Sequence, residues 1–180
     1  KKKYNKVFKL IRNVSIKTNL PIVDNRKDRI IIYQGALNVG RGLETAIRAM
    51  QNVDGKLYLA GTGDIEGKLR DMTLRLNLSE KVQFLGNINP DNLPDITRKA
   101  SVGLNLLENR GLNYYYSLAN KFFDYIEAGI PQLSMRFPDY EQINQKYEIA
   151  ILMDGLNEII LARALQQLLD DKELYDRLKS

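Results

Sequence analysis

The chain has 180 residues, 44% of them hydrophobic, with no cysteine, no histidine and a formal net charge of +5. That length suits one well-packed domain. The missing residue types exclude a disulfide framework, thiolate and imidazole metal sites, cysteine nucleophiles and histidine triads, and no apolar run is long enough to span a bilayer.

The charge is uneven. Residues 1–29 hold ten Lys and Arg against two Asp, a net of +8, while the remainder holds 17 basic against 20 acidic residues, a net of −3. A basic arm suits nucleic acid or an anionic membrane surface. No interleaved aromatic pattern for base stacking accompanies it, so no nucleic-acid partner is expected. We read 1–29 as an interdomain lead-in with solvated lysines, carrying one short strand near Phe8 to Ile11, ahead of a domain over 30–180. The first residue is Lys1 rather than Met, which suggests a piece of a larger protein.

Ile30 to Tyr33 is a continuous, largely β-branched run and predicts a buried strand. Gln34 to Gly42 reads as a glycine-containing loop, and Leu43, Ala46, Ile47 and Met50 follow at helical spacing. Lys56 to Ala60 predicts the second strand, ending at Gly61-Thr62-Gly63, and Leu69, Met72 and Leu76 mark the next helix. Val82 to Gly86 is the third strand, a short helix starts near Asn92, and Val102 to Leu106 is the fourth strand. Glu108 to Tyr116 reads as a long loop, and a helix capped by Ser117 and stopped by Gly129 follows it. Strands at Gln132–Met135 and Ile149–Met153 flank a helix over Tyr140 to Lys146, and a helix from Leu156 closes the chain with a last turn or two from Lys172.

Strand and helix alternate six times, and the strands are apolar on both faces. This predicts an α/β fold: a Rossmann-like, doubly wound parallel sheet of about six strands with helices on both faces. In such a sheet the ligand sits beyond the carboxyl ends of the strands, at the switch point.

The residues there suit an anion. Asn120 and Lys121 fall in the first turn of their helix, where free N–H groups and the helix dipole favour negative charge. Asp124 lies one turn on, within a sugar's length of a phosphate at the helix tip. Arg41, between Gly40 and Gly42, has the forked geometry for phosphate oxygens, and Gly35 lets backbone approach them. Gly61 and Gly63 suit either the ligand cleft or a plain turn, and Gly86 either close approach of a planar base or a plain strand exit. Tyr114, Tyr115 and Tyr116 suit a sugar or acceptor platform, or packing alone. The glycine spacing departs from the dinucleotide fingerprint, and no acidic residue ends the second strand, which disfavours NAD. Glu108 and Asp124 form an acid/base pair only if the fold joins them. No carboxylate cluster suits Mg²⁺, and neither metal nor cofactor is expected.

Four motifs in order, Tyr33-Gln34-Gly35 with Arg41-Gly42, Leu59 to Gly63, Val82 to Gly86, and Asn120 to Pro131, resemble the C-terminal, donor-binding domain of a GT-B glycosyltransferase of the retaining family 4, group 1 type. The resemblance covers the chain from Asn13 onward. It implies transfer of a hexosyl group from a nucleotide-diphosphate sugar to an acceptor hydroxyl, with the acceptor on an N-terminal domain of the same protein. It implies Arg41 on the donor diphosphate, the Asn120 and Lys121 amides on the distal phosphate, Asp124 on the ribose hydroxyls and Ile88 near the nucleobase. Arg41 and Lys121 then stabilise the leaving group. Two positions depart from the family: Ala36 stands where a second basic residue is common, and Tyr116 where the first of two glutamates usually sits by the transferred sugar. The implied setting is surface-polysaccharide or glycoconjugate synthesis in the cytoplasm, with peripheral membrane contact where the acceptor is lipid-linked. A sugar-nucleotide epimerase of the same fold and a non-catalytic nucleotide-binding or assembly module are the alternatives.

Overall fold

The computed structural model describes residues 26–179. The expected strand at Phe8 to Ile11 and nearly all of the basic lead-in lie outside these residues. The last residues of the lead-in pack on the domain: a single 3-10 turn at Arg26–Asp28 precedes Arg29, whose guanidinium pairs with Asp54 and Asp170.

Six strands form one parallel sheet: β1 (Ile30–Gln34), β2 (Lys56–Ala60), β3 (Val82–Gly86), β4 (Val102–Asn105), β5 (Gln132–Met135) and β6 (Ala150–Met153). Their spatial order is β3-β2-β1-β4-β5-β6. The chain winds outward one way through β1, β2 and β3, then crosses back and winds the other way from β4. The switch point lies between β1 and β4, where the expectation of a doubly wound sheet placed the ligand.

Helices cover both faces. α1 (Leu43–Ala49) packs on α2 (Glu66–Arg75) and on α7 (Glu158–Asp170), while α3 (Leu93–Arg98) packs on α5 (Asn120–Glu127). Side chains of β1 alternate accordingly. Ile31 and Tyr33 enter the larger core cluster, and Ile32 enters the smaller one with Tyr125 and Ile130. α4 (Leu112–Tyr115), α6 (Pro138–Tyr147) and α8 (Lys172–Lys179) complete the order. The helix expected from Leu156 starts at Glu158 as α7, capped by Asn157, whose side chain accepts from the Ile159 and Ile160 amides.

Two further expectations are corrected here. The stretch Glu108 to Tyr116 is not wholly a loop, because α4 forms a helical turn within it. Ser117 does not cap α5: its hydroxyl donates to the Tyr114 carbonyl, and the helix starts at Asn120 with Ala119 at the N-cap. A long-range contact fixes that start. The Ala119 amide donates to the hydroxyl of the buried Tyr140, 2.9 Å away. The other end follows the local rule. Gly129 has φ 65°, its amide donates to Ile126 O, and the Ile130 amide donates to Tyr125 O, which is a Schellman closure.

Tyr125 seats α5 across the switch point. Its hydroxyl lies within hydrogen-bond distance of Ile32 O on β1 and Leu104 O on β4. Gly103 makes room for the ring, and any Cβ there would collide with it. The tip of α5 is thereby held over the carboxyl ends of β1 and β4.

Candidate functional site

Two adjoining cavities open between α3 and α5. One, about 330 Å³, is lined by Ile88, Pro90, Leu93 and Pro94, with Thr97 and Arg98 from α3 and Glu127 from α5. The other, about 350 Å³, is lined by Gly35, Leu118, Ala119, Asn120 and Lys121. Gln34, Leu93 and Asp124 line both, so the two form one cleft with an apolar and a cationic end. Each is within the size range of small-ligand sites.

The cationic end is built on the first turn of α5. No side chain caps that helix, so the leading amides of Asn120 and Lys121 serve whatever lies at its tip. The Lys121 ammonium sits 3.7 Å from the centroid of the Tyr33 ring and 3.4 Å from where a Cβ on Gly35 would stand. Lys121 keeps part of its surface exposed, yet its head group is densely surrounded. Burial, and then the nearby Arg41 charge, push its pKa down to about 7, against an opposing pull from Asp124. Beneath it, burial pushes the Tyr33 phenol up to about 12, and that hydroxyl donates to Ala36 O at 2.8 Å.

Arg41 is not a wall of either cavity. Its guanidinium lies 5.6 Å from the Tyr114 ring centroid, and its Nε is buried with no acceptor among the described residues. Its charge is nonetheless felt at Lys121. The two basic side chains, with the amides at the tip of α5, give this end of the cleft a positive potential that Asp124 partly offsets.

At the boundary of the two ends, Asp124 Oδ2 accepts from Gln34 Nε2 at 2.7 Å. Gln34 Oε1 in turn accepts from the Thr97 hydroxyl, also at 2.7 Å. Asp124 thus sets a carboxylate at the boundary between the apolar and cationic ends.

The structure brings Gly35, Ile88, Asn120, Lys121 and Asp124 to the cleft and places the other expected residues around it. Gly42 is the N-cap of α1, packed against Leu106. Gly61 carries φ 140° with its amide on Gly86 O, and a Cβ there would strike the Gly35 carbonyl; a Cβ on Gly63 would strike Asn38 and Leu37. These two glycines press the end of β2 against the loop after β1. Tyr115 packs on Phe137 with centroids 5.4 Å apart, and Tyr116, 59% exposed, stands edge-on to Tyr115; neither lines the cleft. Glu108 and Asp124 have separate partners, Arg110 and Gln34. Among the cleft residues that the sequence did not mark as site residues are Gln34, Leu93, Pro94 and Thr97, and the proline spacing of Pro90 and Pro94 around a short helix is a local signal for that wall. Among the described residues, no three Asp or Glu side chains cluster as a cation site, and no helix is long and apolar enough to cross a membrane.

Comparison with known proteins bears on this cleft. The family model described as glycosyl transferases group 1 matches residues 17–180. The chain is 32% identical over 93 residues to the uncharacterized glycosyltransferase MJ1607 of Methanocaldococcus jannaschii, a stretch that covers 49% of this chain and 23% of that protein. The chain thus spans about a quarter of that relative's length. In fold it is similar to a TarM mutant of S. aureus, solved with fondaparinux, alpha-GlcNAc-glycerol and UDP, at 15% identity and a TM-score of 0.75, over 94% of this chain and 34% of that one. It is also similar to the C-terminal domain of a glycosyl transferase group 1 family protein, LpcC, from Francisella tularensis, at 15% identity and a TM-score of 0.69, over 84% and 80%. With the sheet order, the cleft at its switch point and a family match over nearly the whole chain, the chain belongs to the group 1 glycosyltransferases.

Proposed function

We propose that this chain binds the nucleoside diphosphate of a sugar-nucleotide donor, and that the protein it belongs to transfers the hexosyl group, with retention, to an acceptor hydroxyl on an N-terminal domain. The observation that carries this reading is the bipartite cleft, apolar between Ile88 and Pro94 and cationic at Lys121, with Asp124 on the boundary. The base occupies the apolar end, Asp124 takes the ribose hydroxyls, and the diphosphate lies on the tip of α5. The UDP bound in the TarM structure supports the ligand class.

The chemistry follows from the charge. As the bond between the anomeric carbon and the diphosphate oxygen breaks, negative charge grows on the leaving group. The Lys121 ammonium and the amides of Asn120 and Lys121 meet it at the tip of α5, and Arg41 adds its charge from beside the cleft, so little reorganisation accompanies the step. The positive potential of these groups takes the part a metal ion plays in other diphosphate sites. Surface-polysaccharide or glycoconjugate synthesis, in the cytoplasm and at a membrane periphery, is the setting we assign.

Calorimetric titration with UDP, GDP, ADP, CMP and NAD tests the donor site. Saturable binding of one nucleoside diphosphate, weakened in Asp124→Ala, is the expected result; no binding by any of them contradicts it. For the full-length protein, a glycosylated acceptor with unchanged anomeric configuration is expected. An epimerised sugar nucleotide without transfer would assign the epimerase alternative instead.

A further inference from the structure

Gln34 ends β1, a strand whose other residues are apolar or aromatic, and it is only 3% exposed. A buried amide at such a place must have its partners, and here both are side chains from the two helices that wall the cleft. Thr97 of α3 is itself 1% exposed, and its hydroxyl lies 2.7 Å from Gln34 Oε1 and 2.8 Å from Leu93 O. Asp124 of α5 lies 2.7 Å from Gln34 Nε2. The orientation of the amide is unambiguous. A carboxylate only accepts, so the NH₂ group faces Asp124 and the carbonyl faces Thr97. The bond to Asp124 is charge-assisted and part-buried, and charge assistance makes it stronger than a neutral one.

We propose that Gln34 is a positioning residue for ribose recognition: held by Thr97, it fixes the Asp124 carboxylate at the boundary between the base and diphosphate ends of the cleft. This rests on the nucleotide reading above. It goes beyond that reading in assigning the ribo-against-deoxyribo preference to a residue on β1 and its support on α3. An apolar side chain of similar size at position 34 would preserve packing and remove this hydrogen bond from the carboxylate.

The test is calorimetry on the chain with UDP, GDP, ADP and CDP, each against its 2′-deoxy and 3′-deoxy counterparts. Wild type should prefer the ribose form of at least one of them. Gln34→Leu should lose about tenfold in affinity for that ribonucleotide, the scale of one hydrogen bond to a charged group, while deoxynucleotide affinity stays within about twofold, so the preference collapses. Thr97→Val should reduce the preference in the same direction, which keeps the test open if Gln34→Leu fails to fold. Gln34→Glu adds a readout that packing alone would not move. At pH 8 two carboxylates face each other and the preference should vanish; at pH 5 a proton shared between them should restore it. A ribose preference unchanged in folded Gln34→Leu or Thr97→Val overturns the proposal while the nucleotide reading stands. Failure of wild type to bind any of the diphosphates overturns both.

Discussion

The two ends of the cleft share Gln34, Leu93 and Asp124 and are otherwise built by opposite chemistry. Ile88, Pro90, Leu93 and Pro94 form an apolar wall without a buried charge of its own. At the other end the Lys121 ammonium is packed over Tyr33 within range of Arg41, and its pKa falls to about 7. Burial and the Arg41 charge thus disfavour the protonated form of Lys121 in the folded protein. Substitutions at the apolar end should therefore lower affinity with little electrostatic consequence, while substitutions at the cationic end should move affinity and stability in opposite directions.

The largest expected effects break the cationic end. Arg41→Ala and Lys121→Met should each weaken UDP binding by about 2–3 kcal/mol, the scale of a hydrogen bond to a charged group, and leave uridine binding unchanged. An equal loss for uridine would erase the division between the two ends. Lys121→Met should also raise the melting temperature at pH 7. The sign follows from proton binding. Between pH 7 and the ordinary lysine value the unfolded chain holds the Lys121 proton and the folded chain has shed it, so this group's destabilisation is full below about 7 and is relieved as pH rises. The melting temperatures of wild type and Lys121→Met should thus converge from pH 7 to pH 9. A constant gap would contradict the placement of the ammonium.

A smaller effect tests how the helix tip is held. Tyr140→Phe leaves the Ala119 amide without its acceptor and should cost about 1–2 kcal/mol in chemical denaturation. UDP affinity should fall more than uridine affinity, because the start of α5 is what shifts. Leu93→Ala, on the wall common to both ends, should cost about 1 kcal/mol in binding, equally for uridine and UDP. The smallest signal is uptake of a fraction of a proton when UDP binds at pH 8, read from titrations in buffers of different ionisation heat. Its absence would mean that Lys121 does not meet the diphosphate.

Much of this was legible in the residues because it depends on local patterning. The six strands follow from apolar runs, the stop at Gly129 from a residue that tolerates positive φ, and the anion-favouring tip from Asn120 and Lys121 at the head of an amphipathic segment. What stayed hidden was set over long distances. Ser117 is a good capping residue by local preference, yet the contact between Ala119 and Tyr140 places the helix start at Asn120. α4 begins at Leu112 behind the N-cap Gly111, at φ 143°, with Arg41 beside its Tyr114, and nothing within the segment itself signals that packing. Gln34 is an ordinary residue at a strand end until Thr97 and Asp124, 63 and 90 positions away, close on its two sides.

The central claim is that one nucleoside diphosphate spans both ends of the cleft. A crystal structure of the chain with UDP tests it most directly. The base should lie between Ile88 and Pro94, with a ribose hydroxyl on Asp124 and the distal phosphate about 3 Å from the amides of Asn120 and Lys121. A diphosphate bound away from the tip of α5, or a base outside the apolar wall, would contradict it.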